Sequence, residues 1–158
     1  MPFLDLLTLE RVRTDLVAAD KNELLEELAR LLAGEAGNEN EILDALRARE
    51  RLGSTGLGRG VAIPHGRIPG IEHARAAFVR LDTALEFAAV DARPVDLVAA
   101  LIVPTNFADQ HLLLLAELAE VFSDDRLTTA LRSAEDGCAV IAKLAEFTRN
   151  RTRESVWT

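Results

Sequence analysis

The chain lacks the features that would place it in a membrane or outside the cytosol. It has one cysteine, Cys138, so an internal disulfide is excluded and a reducing compartment is favoured. No apolar run approaches the roughly 18 residues that a membrane-spanning helix needs. The first residues also lack the basic segment, apolar stretch and cleavage site of a secretory signal. The sequence therefore predicts a cytoplasmic protein that does not insert into a membrane.

Positive charge is scarce overall but concentrated in one segment. The 158 residues carry 18 Lys and Arg against 26 Asp and Glu, a net charge of −8, which argues against non-specific binding to nucleic acid or to an anionic membrane. Residues 47–75 hold six arginines and two acids, a local charge of +4. The six are Arg47, Arg49, Arg51, Arg59, Arg67 and Arg75. They are either scattered solvated side chains or an electropositive site for an anion.

Hydrophobic periodicity and capping signals predict a single α/β domain. Helix signals run from a capping box at Asp20 to Gly34, from Asn38 to just before Gly53, from an N-cap at Asp109 to about Phe122, and over 125–133 and 136–148. Strand signals cover 61–63, 76–81, 87–90 and 95–103, the last being apolar enough to be buried on both faces. Residues 149–158 read as a frayed, mildly basic tail.

One segment carries most of the chemical information. It is a glycine-rich loop with two hydroxyls, a short apolar strand, and a histidine between a proline and a glycine, in the order Gly53-Ser54-Thr55-Gly56-Leu57-Gly58-Arg59-Gly60-Val61-Ala62-Ile63-Pro64-His65-Gly66. Pro64 fixes its own φ and Gly66 leaves space beside the backbone. We therefore expect His65 to lie exposed and rigid at the rim of a sheet, where it is the best candidate for a reactive group.

The other two histidines differ in context. His111 falls in the first turn of the predicted helix that starts at Asp109, where the positive dipole end favours a neutral imidazole and a bound anion. The alternative is an ordinary solvated residue. His73 lies in a polar loop beside Glu72 and is predicted to be solvated.

A neutral imidazole can attack phosphorus and form a phosphohistidine, and the transferring group then needs donors or cations around its oxygens. Ser54, Thr55, the loop amides, Arg49 and His111 could supply them, so the segment predicts a phosphoryl-accepting pocket. Competing sites fit less well. A P-loop would need Lys and Ser or Thr where Arg59 and Gly60 stand, and a Ser54 hydrolase would need a G-x-S-x-G elbow. A zinc site from His65, His111 and a carboxylate stays open as a weaker alternative.

These residues resemble the EIIA domain of the fructose/mannitol class of the bacterial phosphoenolpyruvate:sugar phosphotransferase system. The resemblance rests on Arg49-Glu50, the run from Ser54 to Gly66, the stretch 94–104 and His111-Leu112, and it covers roughly residues 5–148. The Ser-Thr-Gly-x-Gly form of the loop, on one free-standing domain, is most similar to the nitrogen-regulatory subgroup.

The resemblance implies a role for each matching residue. His65 would accept phosphate from an HPr-type phosphocarrier, and His111 would bond the phosphoryl group or orient its neighbour. Arg49, Ser54 and Thr55 would lie beside the phosphate, with no cofactor and no metal. The implied fold is a mixed β-sheet sandwiched between α-helices, like that of the phosphotransferase and anion-transport proteins, with residues 1–148 forming the EIIA type-2 domain.

Two functions follow from the resemblance. In the first, phosphorylation state changes which regulatory target proteins the chain binds, as in nitrogen or potassium regulation. In the second, His65 passes phosphate to a cysteine of an EIIB domain during carbohydrate uptake. The absence of a fused permease or EIIB domain favours regulation.

Overall fold

The computed structural model describes residues 2–156, and the side chains of all but residues 2, 36, 108 and 154–156. The helices are α1 (Pro2–Asp5), α2 (Lys21–Ala33), α3 (Glu39–Leu52), α4 (Ala108–Val121), α5 (Asp125–Ser133) and α6 (Gly137–Val156), with a 3-10 turn at Gly34–Ala36. The strands are β1 (Leu7–Leu16), β2 (Gly56–Gly58), β3 (Val61–Ala62), β4 (His65–Ile68), β5 (Arg75–Leu85) and β6 (Val95–Pro104). Within the described residues, no helix is both long and apolar enough to cross a membrane.

The strands form one mixed sheet in the order β1-β5-β6-β3-β2, and β4 also pairs with β6. β5 and β6 are antiparallel, whereas β1 runs parallel to β5, and β3 and β4 run parallel to β6. Because successive side chains of a strand point to opposite faces, β6 is buried on both sides. Val98, Ala100 and Ile102 pack with α2 and α3, and Leu97, Ala99 and Leu101 pack with α1, α4, α5 and α6. The predicted sheet between two helical layers is confirmed.

The capping signals place the first two long helices well. The Asp20 carboxylate accepts a hydrogen bond from the Glu23 N–H at 2.8 Å, α2 begins at the next residue, and Gly34 is its C-cap. α3 ends at Leu52 before Gly53, as predicted, although the Asn38 side chain makes no capping bond.

Two predicted elements differ in the structure, and three strands were not predicted. Phe107, not Asp109, is the N-cap of α4, because a turn in which the Phe107 N–H donates to the Pro104 carbonyl at 3.1 Å starts the helix earlier. The predicted strand 87–90 is irregular: Ala88 has φ of 52°, which is incompatible with a strand. β1, β2 and β4 were not indicated by the sequence.

The predicted tail is helical as far as the structure describes it. α6 continues to Val156, and Arg151 pairs with Glu120 of α4. The half-buried Phe147 packs against the α4–α6 core. Residues 149–156 are therefore helical where composition alone suggests a frayed segment. Residues 157 and 158 of the predicted tail lie outside the described residues.

Candidate functional site

β3 and β4 both pair with β6 and are separated by residues 63 and 64. His65 begins β4 directly after this break. Val61 pairs with Leu97 and His65 pairs with Leu101, so the register is unchanged across the break. Pro64 has no N–H to donate, but its carbonyl accepts from the Leu101 N–H at 3.1 Å. The break therefore fixes the position of His65 against the central strand. The residue is 7% exposed, so it is more buried than the sequence indicates.

A close backbone contact brings β4 against α3. A Cβ on Gly66 would lie 3.0 Å from the Cβ of Ala45, closer than Cβ atoms normally pack, so the glycine favours this close approach of the strand to the helix. Arg49 lies one helical turn beyond Ala45, on the same face of α3. The glycine after His65 thus places the imidazole within reach of the arginine.

The hydrogen bonds of His65 define its tautomer. Nδ1 lies 2.8 Å from the Ile63 carbonyl oxygen, and a carbonyl can only accept, so Nδ1 carries the proton. Nε2 accepts from Nε of Arg49 at 3.2 Å. Nη1 of Arg49 donates to the Gly53 carbonyl at 2.8 Å and holds the guanidinium in place. Nε2 of His65 is therefore the ring nitrogen with an available lone pair.

His111 faces His65 from α4. The two ring centroids are 5.1 Å apart with an interplanar angle of 74°, and His111 is only 5% exposed, which rules out the solvated alternative. Its backbone N–H donates to the Phe107 carbonyl at 2.9 Å, so it offers its side chain and not a free amide. Nδ1 accepts from Nε of Arg67 at 3.2 Å, and Nε2 is buried with no partner among the described residues.

Both imidazoles are neutral at physiological pH. Burial is the main cause that lowers the pKa of His65, and the charge of Arg49 adds to it, while the bond to the Ile63 carbonyl acts in the opposite direction. Burial, followed by the charges of His65 and Arg67, lowers the pKa of His111 to about 4. A neutral ring is the form that has a nucleophilic lone pair.

The hydroxyl of Thr55 has a partner within the protein. It donates to the Glu50 carboxylate, which also accepts from the Thr55 N–H at 3.3 Å. Lys21 Nζ lies 2.6 Å from the same carboxylate and 4.2 Å from the centroid of the Phe87 ring. Only 6% of the Glu50 side chain is exposed. The Glu50 carboxylate therefore links the start of α2, the end of α3 and the glycine-rich loop, next to Arg49 in the chain.

Ser54 fixes the same loop from the other side. Its hydroxyl donates to the Phe87 carbonyl at 2.5 Å and accepts from the Gly56 N–H at 3.0 Å. In this structure the Ser54 and Thr55 hydroxyls thus hold the loop. Their predicted contact with phosphate stays a prediction.

Of the six arginines in the basic segment, Arg49 and Arg67 contact the paired histidines. Arg47 bonds Glu26, Arg59 bonds Asp125, and Arg75 bonds the Leu32 carbonyl. The anion-site interpretation therefore applies to two side chains and not to the whole segment. His73 is exposed, as predicted.

Sequence reasoning included Arg67 in the basic segment and Glu50 beside Arg49, but it predicted no contact for either residue. Arg67 is two residues after His65 and so lies on the same face of β4, a signal that was available once that strand was recognised. Glu50 had a weaker signal, its place beside Arg49. No three His, Cys, Asp or Glu side chains within the described part of the chain form a group that could hold a metal ion.

The fold and the site define a class: an α/β domain in which two buried, neutral imidazoles face each other at the edge of a mixed sheet, each bonded to an arginine. The family model described as the phosphoenolpyruvate-dependent sugar phosphotransferase system, EIIA 2, matches residues 5–147. The chain belongs to this family.

One relative and two solved structures show what the chain is similar to in sequence and in fold. A nitrogen regulatory protein of Bradyrhizobium diazoefficiens is 38% identical over 146 residues, which is 92% of this chain and 95% of that protein. The crystal structure of nitrogen regulatory protein IIA-Ntr from Neisseria meningitidis superposes with a TM-score of 0.86 at 38% identity, over 91% of this chain and 99% of that one. Enzyme IIA-Mtl of Escherichia coli, in its complex with phosphorylated enzyme IIB-Mtl, shares the fold, with a TM-score of 0.74 at 20% identity over 89% and 97% of the chains.

Proposed function

We propose that this protein is a phosphoryl carrier that accepts phosphate on Nε2 of His65 from an HPr-type phosphocarrier and regulates partner proteins by its phosphorylation state. The observation that carries the proposal is the fixed tautomer of His65. The Ile63 carbonyl oxygen lies 2.8 Å from Nδ1 and keeps the proton on that nitrogen. The lone pair is therefore on Nε2, from which an in-line attack can occur.

The transfer is a single displacement at phosphorus. The lone pair of Nε2 of His65 forms the new N–P bond while the N–P bond of the donor phosphohistidine breaks, and its electron pair stays on the donor imidazole. The His65 ring keeps its Nδ1 proton and becomes positively charged. The Ile63 carbonyl stabilises that charge because it accepts a hydrogen bond from Nδ1.

Two side chains are placed to stabilise the incoming phosphoryl group. The Arg49 guanidinium now donates to Nε2 of His65 at 3.2 Å, so a small shift would let it donate to phosphoryl oxygens instead. Nε2–H of His111 has no partner among the described residues, and the centroid of its ring lies 5.1 Å from that of His65. Donors that are already positioned when charge arrives are the usual source of electrostatic stabilisation.

Exposed apolar side chains next to residues of the site in the chain favour a protein partner. Leu52, 85% exposed, lies one turn beyond Arg49, and Leu112, 62% exposed, follows His111. Leu57 in β2 and Val90 are also exposed. A phosphoryl group beside such a surface adds negative charge where partners dock and so changes their affinity.

The chain is 38% identical to nitrogen regulatory proteins of two other organisms, and this supports regulatory target proteins as the output. The second candidate is transfer to an EIIB cysteine. The complex of IIA-Mtl with phosphorylated IIB-Mtl in a protein of the same fold supports it, but that likeness is at 20% identity.

The first experiment is intact-mass and acid-lability analysis after incubation with phosphoenolpyruvate, enzyme I and a phosphocarrier. The wild type should gain one acid-labile phosphate, His65→Ala should gain none, and the exposed-histidine control His73→Ala should match the wild type. Label on a folded His65→Ala protein would refute the assignment of His65. If the wild type acquires no phosphate from matched donors, the carrier proposal fails.

A second measurement separates the two outputs. Phosphorylated wild type and unphosphorylated wild type are used to capture partners from a lysate of the source cells. Regulation predicts partners that change with phosphorylation state. A sugar relay predicts that phosphate leaves His65 for a cysteine of an added EIIB domain.

A further inference from the structure

Arg67 has a contact that the phosphoryl-carrier chemistry does not by itself require. Its Nε donates to Nδ1 of His111 at 3.2 Å, while the residue as a whole is exposed. Arg67 and His65 stand two residues apart on β4, so both side chains leave the strand on one face. The same short strand thus positions the phosphate acceptor and a donor to its neighbour.

This contact decides where His111 keeps its proton. A neutral imidazole has one N–H and one lone pair, and which nitrogen has which depends on its hydrogen-bond partners. Arginine has donors only, so Nδ1 of His111 must present the lone pair and Nε2 the proton. The pKa of about 4 keeps this ring neutral at pH 7, so the tautomer matters under working conditions.

The tautomer of His111 decides what its buried Nε2 presents to its surroundings. Nε2 has no partner among the described residues, and its ring centroid is 5.1 Å from that of His65. With the proton on Nε2, His111 can donate to an oxygen of a phosphoryl group on His65. With the proton on Nδ1, the same position would present a lone pair to an anionic oxygen, which repels it.

We propose that Arg67 is a positioning residue that locks His111 in the Nε2–H tautomer and so orients the donor towards a phosphoryl group on His65. This inference rests on the proposed function of His65. The competing account is that Arg67 acts only through its positive charge, by attracting an anionic group or partner.

Arg67→Gln and Arg67→Met separate the role of the hydrogen bond from that of the charge, because both replacement side chains are neutral and of similar length. In Arg67→Gln the side-chain amide nitrogen stands the same number of bonds from Cα as Nε of arginine, so the donor is kept and the charge is lost. Arg67→Met loses both. Arg51→Met, at an exposed arginine of α3, is the control for loss of charge elsewhere.

The first readout is the pair of ring ¹⁵N shifts of His111 in the unphosphorylated protein at pH 7. Wild type, Arg67→Gln and Arg51→Met should show protonated Nε2 and unprotonated Nδ1, and Arg67→Met should show averaged shifts. This measurement needs no phosphoryl transfer, so it tests the inference even if the proposed function fails.

The second readout is the rate of phosphate acceptance from the phosphocarrier. Arg67→Met should be about tenfold slower than the wild type, the scale of one lost donor to a charged group, and Arg67→Gln should recover most of the rate. An unchanged His111 spectrum in a folded Arg67→Met protein would overturn the inference. Equal loss of rate in both variants would do so as well, because charge alone would then explain the effect.

Discussion

The two histidine–arginine pairs use the same kind of contact with opposite results. In the first pair Nε of Arg49 donates to Nε2 of His65, and in the second Nε of Arg67 donates to Nδ1 of His111. His65 therefore has its lone pair on Nε2 and His111 has its proton there. The difference teaches that hydrogen-bond partners, and not residue type, decide which imidazole has a lone pair on Nε2 and which has an N–H there.

The pairs also differ in how they are supported. Arg49 is half-buried and bonds the Gly53 carbonyl, next to the Glu50 carboxylate that joins α2, α3 and the glycine-rich loop. Arg67 is exposed, and its Nε bonds His111. The first pair is therefore supported by more contacts within the protein than the second. The following changes test this comparison.

The largest effect is expected from breaking the first pair. Arg49→Ala removes the guanidinium that would stabilise the phosphoryl oxygens, so phosphate acceptance on His65 should slow by about 10²-fold, as for loss of one preorganised donor. A timed labelling assay with the phosphocarrier measures this rate. Arg51→Ala, on the same turn of α3, should leave it unchanged, and equal slowing in both variants would show a general charge effect.

Removing the support behind the first pair should reduce stability. Glu50→Gln leaves Lys21 without its buried counter-charge and weakens the bonds to Thr55, so the free energy of unfolding should fall by about 2 kcal/mol. Urea denaturation measures the loss. The control is Glu26→Gln, which breaks an ion pair with Arg47 whose side chains are 42% and 30% exposed.

That control should change the free energy of unfolding by less than about 0.5 kcal/mol. If Glu50→Gln is equally mild, the carboxylate does not stabilise the loop, and the contrast in support between the two pairs is wrong.

The sequence predicted the parts of this site whose signals are local. The capping residue Asp20, the stop at Gly34 and the doubly buried strand now called β6 follow from short-range patterns. The neighbourhood of His65 was recognisable because its proline and glycine act on the adjacent backbone.

The rest depends on contacts between distant segments. The tautomers, the Arg67–His111 bond across 44 positions of sequence and the burial of both rings arise only when β4 pairs with β6 and α4 packs over the site. β4 itself is short and contains a glycine, so it carries no periodicity to reveal it. The prediction of a strand at 87–90 was wrong because Ala88 has a positive φ. Nothing in this short apolar run indicates that conformation.

Breaking the second pair should have a smaller effect on transfer. His111→Ala removes the donor, and both acceptance and onward transfer of phosphate should slow by about tenfold. His111→Gln can present an amide N–H and should recover part of both rates. The two directions are measured with labelled phosphocarrier and with labelled protein. Unchanged rates in His111→Ala would show that His111 does not touch the phosphoryl group.

Acidification should lower the free energy of unfolding through the buried neutral ring of His111. The pKa of His111 is about 4 when folded and about 6.5 when unfolded, so between these values the unfolded chain binds more protons. The contribution of His111 to the free energy of unfolding is fully present above pH 6.5. It is lost by about 1 kcal/mol per pH unit as the pH falls towards 4. The lowered pKa of His65 acts in the same direction, but its bond to the Ile63 carbonyl opposes the shift. Urea unfolding at pH 7.5, 6.5, 5.5 and 4.5 should therefore give a shallower slope for His111→Gln than for the wild type, and equal slopes would mean that the second ring is not buried in its neutral form.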